Sequence, residues 1–357
     1  RDVDPDASQI AGPAATALAR LAERSGRFEE LIEVLRMLVR FADGEGARGE
    51  LLARMARVHE EALGQIDLAI GAWREVLEIR PDGRDALDSL ERLFVGAGRW
   101  TEVTDVVRRR IELCAEPRER RDLRMRLGLL LEEMLGDAAE ATRAYGEALD
   151  EVPGDRAALE ALARLHEAAG RWPELLQVLE QQLAGAATPA ARVGLLVRTG
   201  ALLQDRLHDV GGALERYREA INLDAATPEA RARLEALLRD DSYALRAAAV
   251  LEPVARSERA FERLVVIHEI QVRAATSPGE RILLLRRIAA LYEQDYGNPT
   301  AAFEAVVRAV RDARFEIGLL ADGLKELRRL ADALGAHAEE VATLQEIVAD
   351  LADPEQR

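Results

Sequence analysis

Apolar residues recur at helical spacing through almost the whole chain, as in Leu31, Val34, Leu35 and Leu38 or Leu51, Met55 and Val58. Steps of three and four residues collect such side chains on one stripe of a helix, so each run predicts an amphipathic α-helix with one face to bury. The runs are separated by short turns containing Gly, Pro or Asp. The whole pattern then repeats every 72 residues: Gly26-Arg27-Phe28 returns as Gly98-Arg99-Trp100 and Gly170-Arg171-Trp172, and Leu18 and Leu21 return as Leu90 and Leu93, then Leu162 and Leu165. Ala69 returns as Ala141 and Ala213, Trp73 as Tyr145 and Tyr217, and Pro81 as Pro153. Each period holds four helical runs, read as two helix-turn-helix hairpins. A lone hairpin cannot bury its stripe, so the hairpins are expected to stack into a right-handed α-solenoid of about nine hairpins.

The period breaks once. Phe261 follows Trp172 by 89 residues, as Leu251 follows Leu162 and Gly297 follows His208, so 17 residues have been inserted. Leu234 and Leu237 still obey the shorter spacing, which predicts an additional helix. The expected organisation is a flexible segment at 1–12, three double-hairpin units over 13–228, the inserted helix at 229–242, a fourth unit at 243–315, and a hairpin with a tail at 316–357.

The second hairpin of each unit resembles a tetratricopeptide repeat. Its small residue in the first helix is Ala56, Gly128, Gly200 and Ala289; its turn glycine is Gly64, Gly136 and Gly297; its later Ala, large and Pro positions are Ala69, Trp73 and Pro81, then Ala141, Tyr145 and Pro153. The first hairpin departs from the family, with Leu31, Val103 and Leu175 where Ala is usual. The resemblance implies an all-α superhelix that binds peptides or proteins on its concave face. Some members clamp a terminal carboxylate there with Lys, Arg and Asn; the first helices here lack that Asn.

Composition narrows the function. The 357 residues carry a formal net charge of −16, which opposes binding to nucleic acid. No apolar run reaches the length of a membrane span. Cys114 is the single cysteine, and Ala42, Ala186 and Ala275 share its place in the repeat, so it reads as a packing position. The five histidines lie in different hairpins without metal-binding spacing. No phosphate loop or nucleophile elbow occurs. The expectation is a non-enzymatic chain without cofactor or metal, cytoplasmic and of bacterial origin. Because residue 1 is Arg, it is also expected to be a segment of a longer protein.

Two arginine ladders rise above this background. Arg54, Arg126, Arg198 and Arg287 share one repeat position, and Arg48, Arg120, Arg192 and Arg281 another. An acidic ladder, Glu61, Glu133 and Asp205, flanked by Glu60, Glu132 and Glu293, sits near helix C-termini, where the helix dipole disfavours it. Pairing four residues back along the helix, Glu50 with Arg54 and Asp122 with Arg126, fails to explain the arginines kept beside Gly194 and Leu283. Either the charges bridge neighbouring repeats or they line a groove for a protein or peptide partner. The alternatives are self-assembly and a sensor or targeting arm of a multidomain enzyme.

Overall fold

The computed structural model describes residues 5–352, which hold nineteen α-helices and no strand. The chain divides into two compact units between Arg171 and Trp172. In the first, α1 (Pro5–Arg24) and α2 (Phe28–Phe41) form one hairpin, and α3 (Glu45–Arg57) and α4 (Ile66–Ile79) the next. They are followed by α5 (Arg84–Gly96), α6 (Trp100–Leu113), α7 (Pro117–Glu133), α8 (Ala138–Glu151) and α9 (Arg156–Ala168). α1 starts at Pro5, inside the segment expected to be flexible; its Ala-rich stretch Ala14 to Ala17 favours helix over fraying. Residues 1–4 and 353–357 lie outside the described residues.

The second unit begins with α10 (Trp172–Ala184), α11 (Pro189–Asp205) and α12 (Val210–Leu223). Then comes α13 (Pro228–Leu237), followed by α14 (Ala244–Ser257), α15 (Phe261–Ala274), α16 (Pro278–Ala290) and α17 (Pro299–Asp312). The pair α18 (Ile317–Leu334) and α19 (His337–Ala352) completes it. Both α13 and α14 pack on α12, so the 17 extra residues add a helix that shares a surface with its successor. α13 buries Ala230, Leu234 and Leu237 at the same repeat positions that α9 fills with Ala158, Leu162 and Leu165.

The turns follow from their glycines. Gly26, Gly98 and Gly170 take φ near +67°, and the next amide donates back to a carbonyl five residues earlier, as Arg99 N does to Phe94 O at 2.9 Å. That geometry satisfies the last carbonyls of a helix and favours a residue without Cβ. Two positions keep the geometry without glycine: Arg259 (φ 53°) and His208 (φ 56°).

The core is made by small residues facing large ones. A Cβ added to Gly128 would stand 2.5 Å from the Tyr145 ring, and one added to Gly200 would stand 2.5 Å from Tyr217. Both tyrosines, like Trp73 at the same repeat position, are buried, so small and large residues interlock α7 with α8 and α11 with α12. This repeated packing makes the chain an all-α solenoid.

Candidate interaction site

The acidic residues that close to partners form one recurrent clamp. Glu60, just past α3, holds Arg92 of α5, and Glu132 of α7 holds Arg164 of α9, each through two hydrogen bonds. Asp205 of α11 holds Arg233 of α13 at 2.7 and 2.8 Å, and Glu293, just past α16, holds Arg329 of α18 at 2.6 and 2.7 Å. Every clamp joins one hairpin to the helix that follows it. The Arg partner's hydrogen bond holds the carboxyls of Glu132, Asp205 and Glu293 below their usual range. Tyr145 adds its hydroxyl to Glu132 at 3.3 Å, and burial pushes that phenol up to about 12. Of the acidic ladder, only Asp205 is a clamp; Glu61 and Glu133 are exposed, because the helix turns the residue before each of them toward the next hairpin. The clamp arginines were missed from the sequence, although Arg92 and Arg164 share the period.

The arginine ladders divide by partner. Arg120 makes a bidentate pair with Glu151 at 2.7 Å and donates to the Cys114 carbonyl at 3.0 Å, and Arg281 lies 3.3 Å from Asp312. The counterparts of those acids are Ile79 and Leu223, which leaves Arg48 and Arg192 exposed with no ion-pair partner among the described residues. In the other ladder, Arg54 reaches Glu23 of α1 at 2.6 Å, and Arg126 reaches the buried Glu91 of α5. The partners are in the preceding hairpin and not four residues back, where Glu50 and Asp122 lie. Arg198 is exposed on α11, and Arg287 is exposed without an ion-pair partner among the described residues.

Within the first unit, α3, the end of α4 and the start of α5 enclose a groove of about 950 Å³. Arg54, Arg57, Arg80 and Arg84 line it, and Trp73 forms part of its wall. Arg57 lies 5.9 Å from the centre of the Trp73 ring. Glu50, Asp82 and Asp85 are the carboxylates along it. A smaller groove of about 380 Å³ in the second unit joins Arg287 to the exposed Leu245 and Leu283.

The remaining sequence candidates are packing groups. Cys114 is buried, with its thiol 3.5 Å from the Glu116 carbonyl. His59 and His268 are buried and bond Gln65 and Gln271 at 2.7 and 2.9 Å. Among the described residues no group of His, Cys, Asp and Glu is placed to hold a metal ion, and no helix is long and apolar enough to cross a membrane.

Residues 158–192 match the tetratricopeptide repeat family. No curated protein matches the chain in sequence. Among solved structures, the MamA protein is 17% identical over 49% of this chain and 91% of its own, with a TM-score of 0.29. YrrB, described as a TPR protein with an unusual peptide-binding site, is 16% identical over 50% of this chain and 88% of its own, with a TM-score of 0.30. The Naa15/Naa10 assembly bound to HypK-THB matches at 15% identity over 95% of this chain and 58% of its own, with a TM-score of 0.37.

Proposed function

We propose that this chain, whose residues 158–192 match the tetratricopeptide repeat family, is a non-catalytic scaffold whose repeat surface binds a protein or peptide partner. The observation that carries this reading is the division of the arginine ladders. Arg48, Arg192 and Arg287 occupy positions at which Arg120, Arg281, Arg54 and Arg126 are consumed by internal carboxylates, yet they face solvent with no such partner among the described residues. At Arg48 and Arg192 the acid's place is taken by Ile79 and Leu223, and at Arg287 the counterpart of Glu91 is Glu252, which Arg256 and Gln271 hold. A guanidinium left so is available to a carboxylate from outside, and its planar fork suits bidentate pairing. The acid clamps hold the scaffold together, and the unpaired ladder positions supply the contacts.

The test compares proteins retained by the full chain with those retained by an Arg192→Ala, Arg287→Ala double variant, at low and high salt. Loss of a partner, together with loss of the salt dependence of its retention, supports the reading. An unchanged set with unchanged salt dependence contradicts it.

One observation favours a second reading, self-association. Leu18 and Leu21 of α1 are 54% and 63% exposed, whereas Leu90 and Leu93 at the same repeat positions are buried by the preceding hairpin. A constant monomer mass by light scattering across a wide concentration range would remove that reading and leave the first intact.

A further inference from the structure

The groove between α3, α4 and α5 differs from its copy 72 residues later at several of the residues that line it. In the later copy Arg121 of α7 pairs with Asp155, and Asp155 also caps α9 by accepting from the Ala158 amide at 2.9 Å. The first copy has Gly49 and Gly83 at those two places, so the ion pair and the cap are both missing. Arg80 stands where the later copy has Val152. Its guanidinium lies across Gly49, where an added Cβ would be 3.0 Å from Nη2. Arg57 likewise replaces the later Leu129.

Donors are in excess here: Arg57 and Arg80 come with these changes, and Arg84 is the counterpart of Arg156, whose partner Glu160 is Asp88 in this copy. Arg57, Arg80 and Arg84 have no ion-pair partner among the described residues, and the first turn of α5 has no side-chain acceptor. Trp73 is only 2% exposed and its Nε1–H meets no acceptor, whereas Tyr145 at the same position uses its hydroxyl on Glu132. A buried donor without an acceptor is rare in folded proteins. Here it belongs to a side chain lining a groove ringed by arginines.

We propose that this groove binds an extended peptide segment bearing Asp or Glu side chains. Arg57, Arg80 and Arg84 take the carboxylates, with the α5 amides adding donors, because charged hydrogen bonds to guanidinium and to a helix N-terminus both select anions. Glu50, Asp82 and Asp85 accept peptide-backbone N–H groups and repel a uniformly charged polyanion, so a peptide fits and a nucleic acid does not. The groove volume lies in the range of ligand clefts. This inference rests on the scaffold reading and names the chemistry of one partner.

The experiment titrates the full chain with a fluorescein-labelled peptide of Glu, Ser and Ala, and with its Gln-for-Glu counterpart, by anisotropy. The Glu peptide is expected to bind at least tenfold tighter (about 1.4 kcal/mol,), and the binding to weaken with salt. The variant Gly49→Arg, Arg80→Val, Gly83→Asp transplants the later ion pair and cap. It should lose at least tenfold in affinity while melting no lower than the parent. In a ¹⁵N spectrum, the indole signal that disappears in Trp73→Phe should shift when the Glu peptide is added. Equal binding of the two peptides, binding of neither at millimolar concentration, or full affinity in the transplant overturns the proposal. Arg192→Ala, Arg287→Ala is the separating control. If it alone abolishes Glu-peptide binding, the groove assignment fails while the scaffold reading stands.

Discussion

The segments 45–86 and 117–158 are the same structure written twice, and they differ where it matters for binding. Both have a small residue under a large aromatic, a positive-φ turn glycine and an acid clamp to the next hairpin: Ala56, Trp73, Gly64 and Glu60 in one, Gly128, Tyr145, Gly136 and Glu132 in the other. Between these fixed points one copy carries the ion pair of Arg121 with Asp155, and the other has Gly49 and Gly83 in their place. The comparison teaches that the groove residues are free to vary because they bury little of the core. The groove's Arg57 and Arg80 thus stand at positions outside the interlock, and Trp73 belongs to both the core and the groove wall.

That separation can be broken most forcefully in the core. Tyr145→Ala and Trp73→Ala should each destabilise by about 3–5 kcal/mol, since both side chains are buried; denaturant unfolding of the full chain measures it. A cost near zero for either would mean that its repeat is not held by the interlock. Gly128→Ala should cost about 1–3 kcal/mol, because the new Cβ meets the Tyr145 ring. A neutral melting curve would refute that close approach.

Smaller effects sharpen the contrast at the groove and the turns. Gly83→Asp supplies the missing cap but sets its Cβ 3.1 Å from the Arg80 carbonyl, so it should add no more than about 0.3 kcal/mol, whereas Asp155→Ala should remove about 1 kcal/mol. His208→Gly should stabilise by about 1 kcal/mol by relieving a left-handed backbone at a position that is glycine in neighbouring units. Calorimetry of the three variants checks both signs.

The smallest effect is that of pH. Glu132, Asp205 and Glu293 have depressed folded values because of Arg164, Arg233 and Arg329. Their contribution is complete above the unfolded carboxylate range, near pH 4–5, and is lost as pH falls through the folded values. The urea midpoint should therefore drop on acidification. In Arg164→Gln, the part due to Glu132 should vanish.

Much of the fold was legible because core and turn positions must repeat for hairpins to stack. The 72-residue spacing and its break could be read directly from Leu, Gly and aromatic positions. The clamps were half legible: their acids stood out, but the acidic ladder led to Glu61 and Glu133 instead of the neighbours that bind. The arginine partner follows its acid by 32 residues in the first two clamps, by 28 in the third and by 36 in the fourth, so no single spacing reveals it. The groove was not legible. Gly49 and Gly83 resemble ordinary helix-start and turn residues until the structure places Arg121 against Asp155. Local pairing of Glu50 with Arg54 already fails in the sequence beside Gly194 and Leu283, and the fold brings Glu23 to Arg54 from another hairpin.

The most direct test of recognition at the altered copy is hydrogen–deuterium exchange on the full chain with and without the Glu peptide. Added protection confined to the second half of α3 and the start of α5, with 117–158 unchanged, is the predicted result. Equal protection of both copies, or none in either, would contradict the account.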